Sequence, residues 1–256
     1  MNAVQYKGRI WASKNKEFDP SLLQLLTSKN HLIVLRHGKP PYRVTLGGPH
    51  QAKVGEEHIC DKTKKRPSDE NAASYALVAY TSLIEKGVSC KLVIAAHSTE
   101  EDPNKNSASL YCKEIFREKN ELLLECHGAK KDRAHDLELS AGANTLANTI
   151  TFGHVLVEAL GRRYKIAIQK EPEKNQAVII TRDRSYEGTI NLAANDTTSL
   201  MEANKLKIPA FHLEAKPAFR IPKDRSNTVT PDGLVLGRAL AQAIVNYHNK
   251  NACKQS

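Results

Sequence analysis

Residues 122–128 read Leu-Leu-Leu-Glu-Cys-His-Gly, so a histidine stands at the end of an apolar run. A short apolar run of this kind is typical of a β-strand buried in a sheet that is covered on both faces. In α/β proteins, ligands bind in the crevice beyond the carboxyl ends of the strands. His127 is therefore a candidate metal ligand, and a buried structural histidine is the alternative interpretation.

Similar apolar runs alternate with amphipathic stretches along the chain, and this alternation predicts a layered α/β domain. The predicted strands cover residues 31–36, 42–46, 91–96, 121–126, 136–139, 165–168, 177–180 and 210–214. The predicted helices cover residues 71–86, 108–117, 146–160, 198–205 and 232–247. Ser68-Asp69 is expected to cap the first of these helices.

Length and composition set the class of protein. A chain of 256 residues is expected to form a single domain over residues 1–256. It contains no apolar run near the roughly 18 residues that a membrane span needs and no signal-peptide core, so we expect a cytoplasmic protein. The five cysteines form no C-x-x-C pair, which argues against a zinc ribbon.

The formal net charge of +10 comes from basic residues that are scattered along the sequence. The densest cluster, residues 62–66, has no interleaved aromatic side chains on which bases could stack. We therefore expect no nucleic-acid partner and no membrane partner. A basic surface of this kind would attract a small anionic substrate.

Polar side chains follow several of the predicted strands. Gly47-Gly48-Pro49-His50 follows one strand, Glu214 ends another, and Asp102-Pro103-Asn104 lies in a loop after a third. Two histidines and a carboxylate brought together from separate loops form a common open zinc site, in which water takes the remaining position. The spacing is not that of a helical H-E-x-x-H motif, so convergence depends on the fold.

The order of these segments resembles the N-formylglutamate amidohydrolase family, which is related to the zinc carboxypeptidases. The resemblance runs from about residue 44 to the C-terminal helix. It is carried by Pro49-His50, then Ser68-Asp69-Glu70, Asp102-Pro103-Asn104, His127-Gly128, Asp136-Leu137-Glu138-Leu139 and Phe211-His212-Leu213-Glu214. It implies a three-layer α/β/α fold with a mixed central sheet, of the phosphorylase/hydrolase-like kind. It also implies a Zn²⁺ cofactor and hydrolysis of an amide next to a carboxylate, as in an N-acyl amino acid or a small peptide.

Site roles follow from this resemblance. His50 and His127 would be zinc ligands, and Glu214 would be the general base. The third ligand would be Glu56 or Asp69, and Asp69 matches the helix-opening pattern better. Any of three arginines could bind the substrate carboxylate in bidentate fashion: Arg182, Arg184 and Arg220.

Two other functions remain open at the level of sequence. Arg36-His37-Gly38 matches the short signature of the histidine phosphatases, although Lys39-Pro40-Pro41 follows where threonine or glutamate is expected. A basic, non-enzymatic binding module is the second alternative, and salt would weaken its binding steeply whereas a chelator would not.

Overall fold

The computed structural model describes residues 1–60, 65–98, 102–140, 146–161, 163–171, 176–190 and 197–252. Residues 62–64 of the basic cluster lie outside this part of the chain. The strands are β1 (Asn2–Gln5), β2 (His31–His37), β3 (Val44–Ala52), β4 (His58–Cys60), β5 (Lys65–Pro67), β6 (Asp69–Glu70), β7 (Cys90–Ala96), β8 (Leu123–Gly128), β9 (Leu137–Ser140), β10 (Ile166–Glu171), β11 (Gln176–Ile180), β12 (Ser185–Thr189) and β13 (Ala210–Ala215). The helices are α1 (Pro20–Thr27), α2 (Ala73–Glu85), α3 (Leu110–Ile115), α4 (Leu146–Leu160), α5 (Thr198–Lys205) and α6 (Pro231–Ala252).

One sheet of eleven strands forms the centre of the protein, in the order β1-β2-β7-β3-β8-β13-β9-β10-β11-β12, with β6 paired to β3 off this path. Strands β7, β3, β8 and β13 run parallel to one another. Their outer neighbours β2 and β9 run antiparallel to them. The sheet is therefore mixed, as the resemblance implied. The carboxyl ends of the four central strands share one edge.

Two apolar clusters cover the two faces of the sheet. The larger one joins α1, α2, α4 and α6 to side chains such as Leu124 and Phe211. The smaller one joins α3 and α5 to side chains such as Leu123 and Ala210. Alternate residues of a strand point to opposite faces, so β8 and β13 contribute to both clusters. The predicted three-layer α/β/α architecture is confirmed.

Strand β3 continues further than the sequence suggested. The predicted strand ended at Leu46, ahead of Gly47-Gly48-Pro49-His50, but β3 runs through the glycines to Ala52. His50 consequently lies within a strand. The glycines provide room because Gly47 lies under the hydroxyl of Tyr111 from α3, where a Cβ atom would overlap it.

The start of α2 also differs from the prediction. Neither Ser68 nor Asp69 caps this helix, because Gln51 of β3 accepts a hydrogen bond from the Ala73 N–H at 2.8 Å. Asp69 lies instead in β6, paired with Gln51. The short or exposed elements β1, α1 and β12 were not predicted, since they lack a long apolar pattern. In the described segments, no helix combines the length and the apolar character needed to cross a membrane.

The packing at Gly47 leads to a stability prediction. We expect Gly47→Ala to lower the free energy of unfolding by about 1–3 kcal/mol, because the new methyl group displaces Tyr111 in a close-packed layer. Tyr111→Phe removes the overlapping hydroxyl, so the double variant should be more stable than the sum of the single effects predicts. Urea unfolding of the four proteins measures the coupling, and strict additivity would contradict this explanation.

Candidate metal centre

Three elements bring the predicted ligands to one edge of the sheet. His50 lies near the end of β3, His127 near the end of β8, and Asp69 in β6 beside β3. Hydrogen bonding anchors the end of β8, because the Tyr75 hydroxyl donates to the backbone oxygen of His127 at 2.7 Å. Rigid strands therefore hold all three side chains, as a precise site requires.

The geometry of this group suits a metal ion. One ligand-type atom from each of His50, Asp69 and His127 lies within 4.8 Å of the other two. Asp69 Oδ2 is 2.9 Å from His127 Nδ1 and 3.5 Å from His50 Nδ1. The two imidazole rings are 72° apart in orientation, with centroids separated by 5.1 Å. Steeply inclined rings can direct two in-plane lone pairs toward one point.

The alternative acid of the sequence-based interpretation lies elsewhere. Glu56 Oε2 is 3.0 Å from His97 Nδ1, and the backbone N–H of Lys53 donates to the other nitrogen of that ring. His97 holds Glu56 in a separate contact. Of the two carboxylates that the sequence left open, only Asp69 joins His50 and His127 in the described structure.

Each of the two histidines also faces a second carboxylate with its other nitrogen. His50 Nε2 lies 2.8 Å from Asp102 Oδ1. His127 Nε2 lies 3.8 Å from Glu125 Oε2. Metal-ligating histidines usually direct their second nitrogen toward such a carboxylate, which fixes the ring and its tautomer.

Electrostatic coupling within the cluster shifts the pKa values of its members. Burial alone would raise the pKa of Asp69, but its contacts with His127 and His50 hold that pKa well below the ordinary value. Burial alone would lower the pKa of both histidines, but Asp69, with Glu125 for His127 and Asp102 for His50, raises them. In the absence of a metal, both imidazoles therefore bind a proton more tightly than a free histidine does.

These protons compete with a metal ion for the same nitrogens. The pKa values of His127 and His50 are raised, so protonation stabilises the metal-free fold at low pH, and that stabilisation is lost as the pH rises through the folded-state values. We expect the affinity of the candidate site for a divalent metal ion to increase by about 10-fold or more per pH unit between about pH 6 and 8, as one or two protons are displaced. Chelator-competition titrations at three pH values measure the slope. A pH-independent affinity would contradict the assignment of these ligands.

Glu214 lies one strand away from His127. The two residues are direct partners in the β13–β8 register, and alternation places their side chains on the same face of the sheet. The Glu214 side chain is 18% exposed, and its Oε1 lies 3.5 Å from His212 Nε2. A half-buried carboxylate beside the candidate ligands, with access to solvent, can exchange protons with a molecule bound there.

Of the three arginines suggested by the sequence, Arg220 lies against the backbone next to Asp69 and His127, whereas Arg182 and Arg184 lie away from this group. Arg220 is buried, and its guanidinium donates to the backbone oxygens of Ala215, Glu70 and Ala129. Arg220 therefore ties three segments of the fold together. Arg182 and Arg184 are exposed in the turn between β11 and β12, four strands from β8. At about 4.8 Å per strand, that turn is roughly 19 Å from His127.

Arg133, in the loop after β8, was missed by the sequence analysis. Its Nη1 lies 3.7 Å from Glu138 Oε2, while its buried Nε has no hydrogen-bond partner in the described structure. Glu138 is the cross-strand partner of Glu214. Burial raises the pKa of Glu138, Arg133 opposes that rise, and the nearby Glu214 charge adds to it.

Two further residues were missed although the sequence contained a signal for them. Glu125 precedes His127 by two positions, and His212 precedes Glu214 by two. In strands, this spacing places each pair on one face. Because side chains alternate between the two faces of a sheet, the spacing in both strands predicts that all four side chains lie on one face.

Arg36-His37-Gly38 lies at the other edge of the sheet. Strand β2 is antiparallel to β7, so its carboxyl end adjoins the amino ends of the central strands. The Arg36 guanidinium pairs with Glu114 and Glu118. Two carboxylates neutralise the charge that a phosphate would need, and the geometry disfavours the histidine phosphatase interpretation.

Comparison with known proteins identifies the fold. No protein-family model matches the sequence, and no curated protein matches it. A bacteriophage poly-gamma-glutamate hydrolase structure is 13% identical over 88% of this chain and 92% of its own, with a TM-score of 0.50. The N-formylglutamate amidohydrolase of Ralstonia eutropha JMP134 is 8% identical over 87% of this chain and 98% of its own, with a TM-score of 0.52. The fold is shared.

A metallo-carboxypeptidase from Burkholderia cenocepacia also has this fold. It is 12% identical over 86% of this chain but only 61% of its own length, with a TM-score of 0.50. At these identities, the similarity concerns the arrangement of helices and strands. It confirms the predicted fold class.

Proposed function

We propose that this protein is a zinc-dependent hydrolase of the N-formylglutamate amidohydrolase kind, which cleaves an amide bond adjacent to a carboxylate. The observation that carries this proposal is the convergence of His50, Asp69 and His127 on one point at the carboxyl edge of the sheet. Glu214, one strand away, provides a base beside them. Hydrolases are also what the names of the three proteins with this fold describe.

The donor set fits zinc. Two imidazole nitrogens and one carboxylate oxygen are the protein ligands of many catalytic zinc sites, which leave a further position open. When bound, zinc supplies Lewis acidity toward a carbonyl oxygen and makes water a nucleophile near neutral pH. The carboxylates of Asp102 and Glu125 add negative charge around a dication.

Protein side chains would carry the proton transfers. Glu214 accepts a proton from the attacking water as the oxygen of that water forms a bond to the carbonyl carbon. The same carboxyl group then delivers that proton to the nitrogen as the carbon–nitrogen bond breaks, so an acid and an amine leave. One group can serve as base and then acid because the proton returns to solvent with the amine product.

We assign substrate anchoring to Arg133 in place of the three arginines that the sequence suggested. Its guanidinium lies beside Glu138, the partner of Glu214, and its Nε is buried without a hydrogen bond among the described residues. A planar guanidinium binds a carboxylate through two parallel hydrogen bonds. This placement supports an N-acyl amino acid or a small peptide as the substrate.

Chelation distinguishes this proposal from a basic binding module. The purified protein should hydrolyse members of a panel of N-acyl amino acids, lose that activity with a chelator and regain it with zinc. The matched amides that lack the carboxylate should be poor substrates. Chelator-resistant hydrolysis would contradict the proposal. So would binding of polyanions that falls steeply with salt in a protein that hydrolyses nothing.

A further inference from the structure

His127 has an unsatisfied nitrogen inside the protein. Its Nδ1 faces Asp69, but Nε2 is buried and forms no hydrogen bond within the described residues. Buried polar atoms are nearly always hydrogen-bonded, so an exception requires an explanation. The carboxylate recorded beside this nitrogen is that of Glu125, with Oε2 at 3.8 Å.

Glu125 is held in place by neutral donors. It is fully buried, and the Tyr111 hydroxyl donates to Oε1 at 2.8 Å, while Asn104 Nδ2 lies 3.4 Å from Oε2. Among the described ion pairs, its basic partner is His127. Taking a carboxylate out of water is costly, and two neutral hydrogen bonds do not offset that cost. The position therefore indicates a compensating positive charge on the His127 side.

One explanation would be a second metal ion bound by Glu125, His127 and His212, whose ligand-type atoms also lie within 4.8 Å of one another. The rings of His127 and His212 argue against it. They are stacked with centroids 3.8 Å apart and planes only 8° apart. Nitrogen lone pairs lie in the ring plane, so two stacked rings cannot both direct theirs to one ion between them.

His50 offers a better parallel. Its Nδ1 faces Asp69, and its Nε2 contacts the Asp102 carboxylate at 2.8 Å. His127 repeats this arrangement with Glu125 in the place of Asp102. In both histidines, one ring nitrogen faces the candidate metal centre and the other faces a carboxylate.

We propose that Glu125 is a positioning residue that accepts the Nε2–H of His127 and thereby directs the lone pair of Nδ1 to the metal. This inference rests on the proposed function, because it requires a metal at His50, Asp69 and His127. Asp69 would contribute one negative charge to the centre directly, and Asp102 and Glu125 would each contribute one through the imidazole that faces them. His212 stacks on the ring and limits its rotation.

Glu125→Gln tests this role because it keeps the size of the side chain. If the amide oxygen retains the Tyr111 hydrogen bond, the amide NH₂ faces His127 Nε2 and favours the tautomer with hydrogen on Nδ1, which opposes metal binding. We expect the zinc dissociation constant, measured by chelator competition, to rise about 10- to 100-fold. Tyr111→Phe, which removes the anchor of Glu125, should cause a smaller rise in the same direction.

Glu114→Gln is the matched control, since Glu114 is a buried glutamate on α3 that pairs with Arg36. It should leave zinc affinity unchanged. The thermal midpoint of each metal-free variant and the visible spectrum of its cobalt form provide readouts beside activity. If Glu125 had only a structural role, Glu125→Gln would shift the thermal midpoint without changing the zinc affinity or the visible spectrum of the cobalt form.

Three results would overturn the inference. The first is a zinc affinity of Glu125→Gln that lies within about twofold of the wild-type affinity. If Glu125→Gln does not fold, an unchanged zinc affinity of Tyr111→Phe would overturn the inference in its place. The second is two bound zinc ions per wild-type chain with one lost in Glu125→Gln, which would make Glu125 a direct ligand. The third is a wild-type protein that binds no zinc, and this result alone also removes the proposed function.

Discussion

Replacing His127 by alanine is expected to abolish the proposed zinc binding. One of three ligands is lost, and roughly a third of the about 12 kcal/mol typical of zinc binding corresponds to an affinity about 1000-fold weaker. Metal analysis of protein purified without added metal should find about one zinc per wild-type chain and almost none in the variant. Asp69→Asn should behave similarly, since Asp69 contacts both histidines.

Glu56→Gln is the control for this experiment. Glu56 is an acid in the same region of the chain, but it contacts His97 rather than the candidate ligands. Its variant should keep the metal. Stoichiometric zinc that survives in His127→Ala, or is lost in Glu56→Gln but not in Asp69→Asn, would refute the ligand set.

Glu214→Gln should separate metal binding from catalysis. The amide keeps the shape of the side chain but cannot accept and return a proton, so the rate of hydrolysis should fall by about 10² to 10⁴. Zinc content should stay at the wild-type level, because Glu214 lies one strand away from the ligand group and outside it. Steady-state kinetics with the best substrate of the panel, together with metal analysis, measure both quantities.

Glu202→Gln serves as the comparison for general effects of removing a carboxylate. Glu202 is half-buried on α5 and pairs with Lys205. Its variant should retain full activity. If Glu214→Gln hydrolyses at the wild-type rate, Glu214 has no part in the mechanism, and a different base must serve the same centre.

Apolar patterns predicted most of the long elements. Helices α4 and α5 have the predicted bounds, and α2, β7, β8 and β13 differ by only a few residues. Such elements have a strong periodicity that burial of one face or both faces imposes. The patterns failed at the edges of the sheet, in β1 and β12, where side chains are largely exposed and no apolar period is required.

The candidate site was only partly accessible from the sequence. His50, His127 and Glu214 stand at or near the ends of apolar strands, so their approach could be expected from a parallel arrangement. Asp69, and not Glu56, lies beside both histidines, but the helix-opening pattern that favoured Asp69 is not the reason for its position. The helix cap expected from Ser68 and Asp69 does not form, because Gln51 caps α2 from a neighbouring strand.

The sequence was also unable to show which arginine lies near the candidate site. Arg220 donates to the backbone oxygen of Ala215 nearby in the sequence and to those of the distant residues Glu70 and Ala129. Arg133 lies beside Glu138. Neither environment has a local sequence signature, since a guanidinium at the end of a long flexible side chain reaches whatever the fold places around it. Sequence order alone could not rank these arginines.

The sequence by itself determined the layered α/β class and the polar residues at the strand ends, because alternation and burial are local properties of each segment. Only the tertiary structure decided that Asp69 joins His50 and His127, and that Asp102 stands behind the His50 ring. Those contacts join residues up to 58 positions apart, as for Asp69 and His127. Strand order and register, which depend on packing across the whole sheet, bring them within a few ångströms.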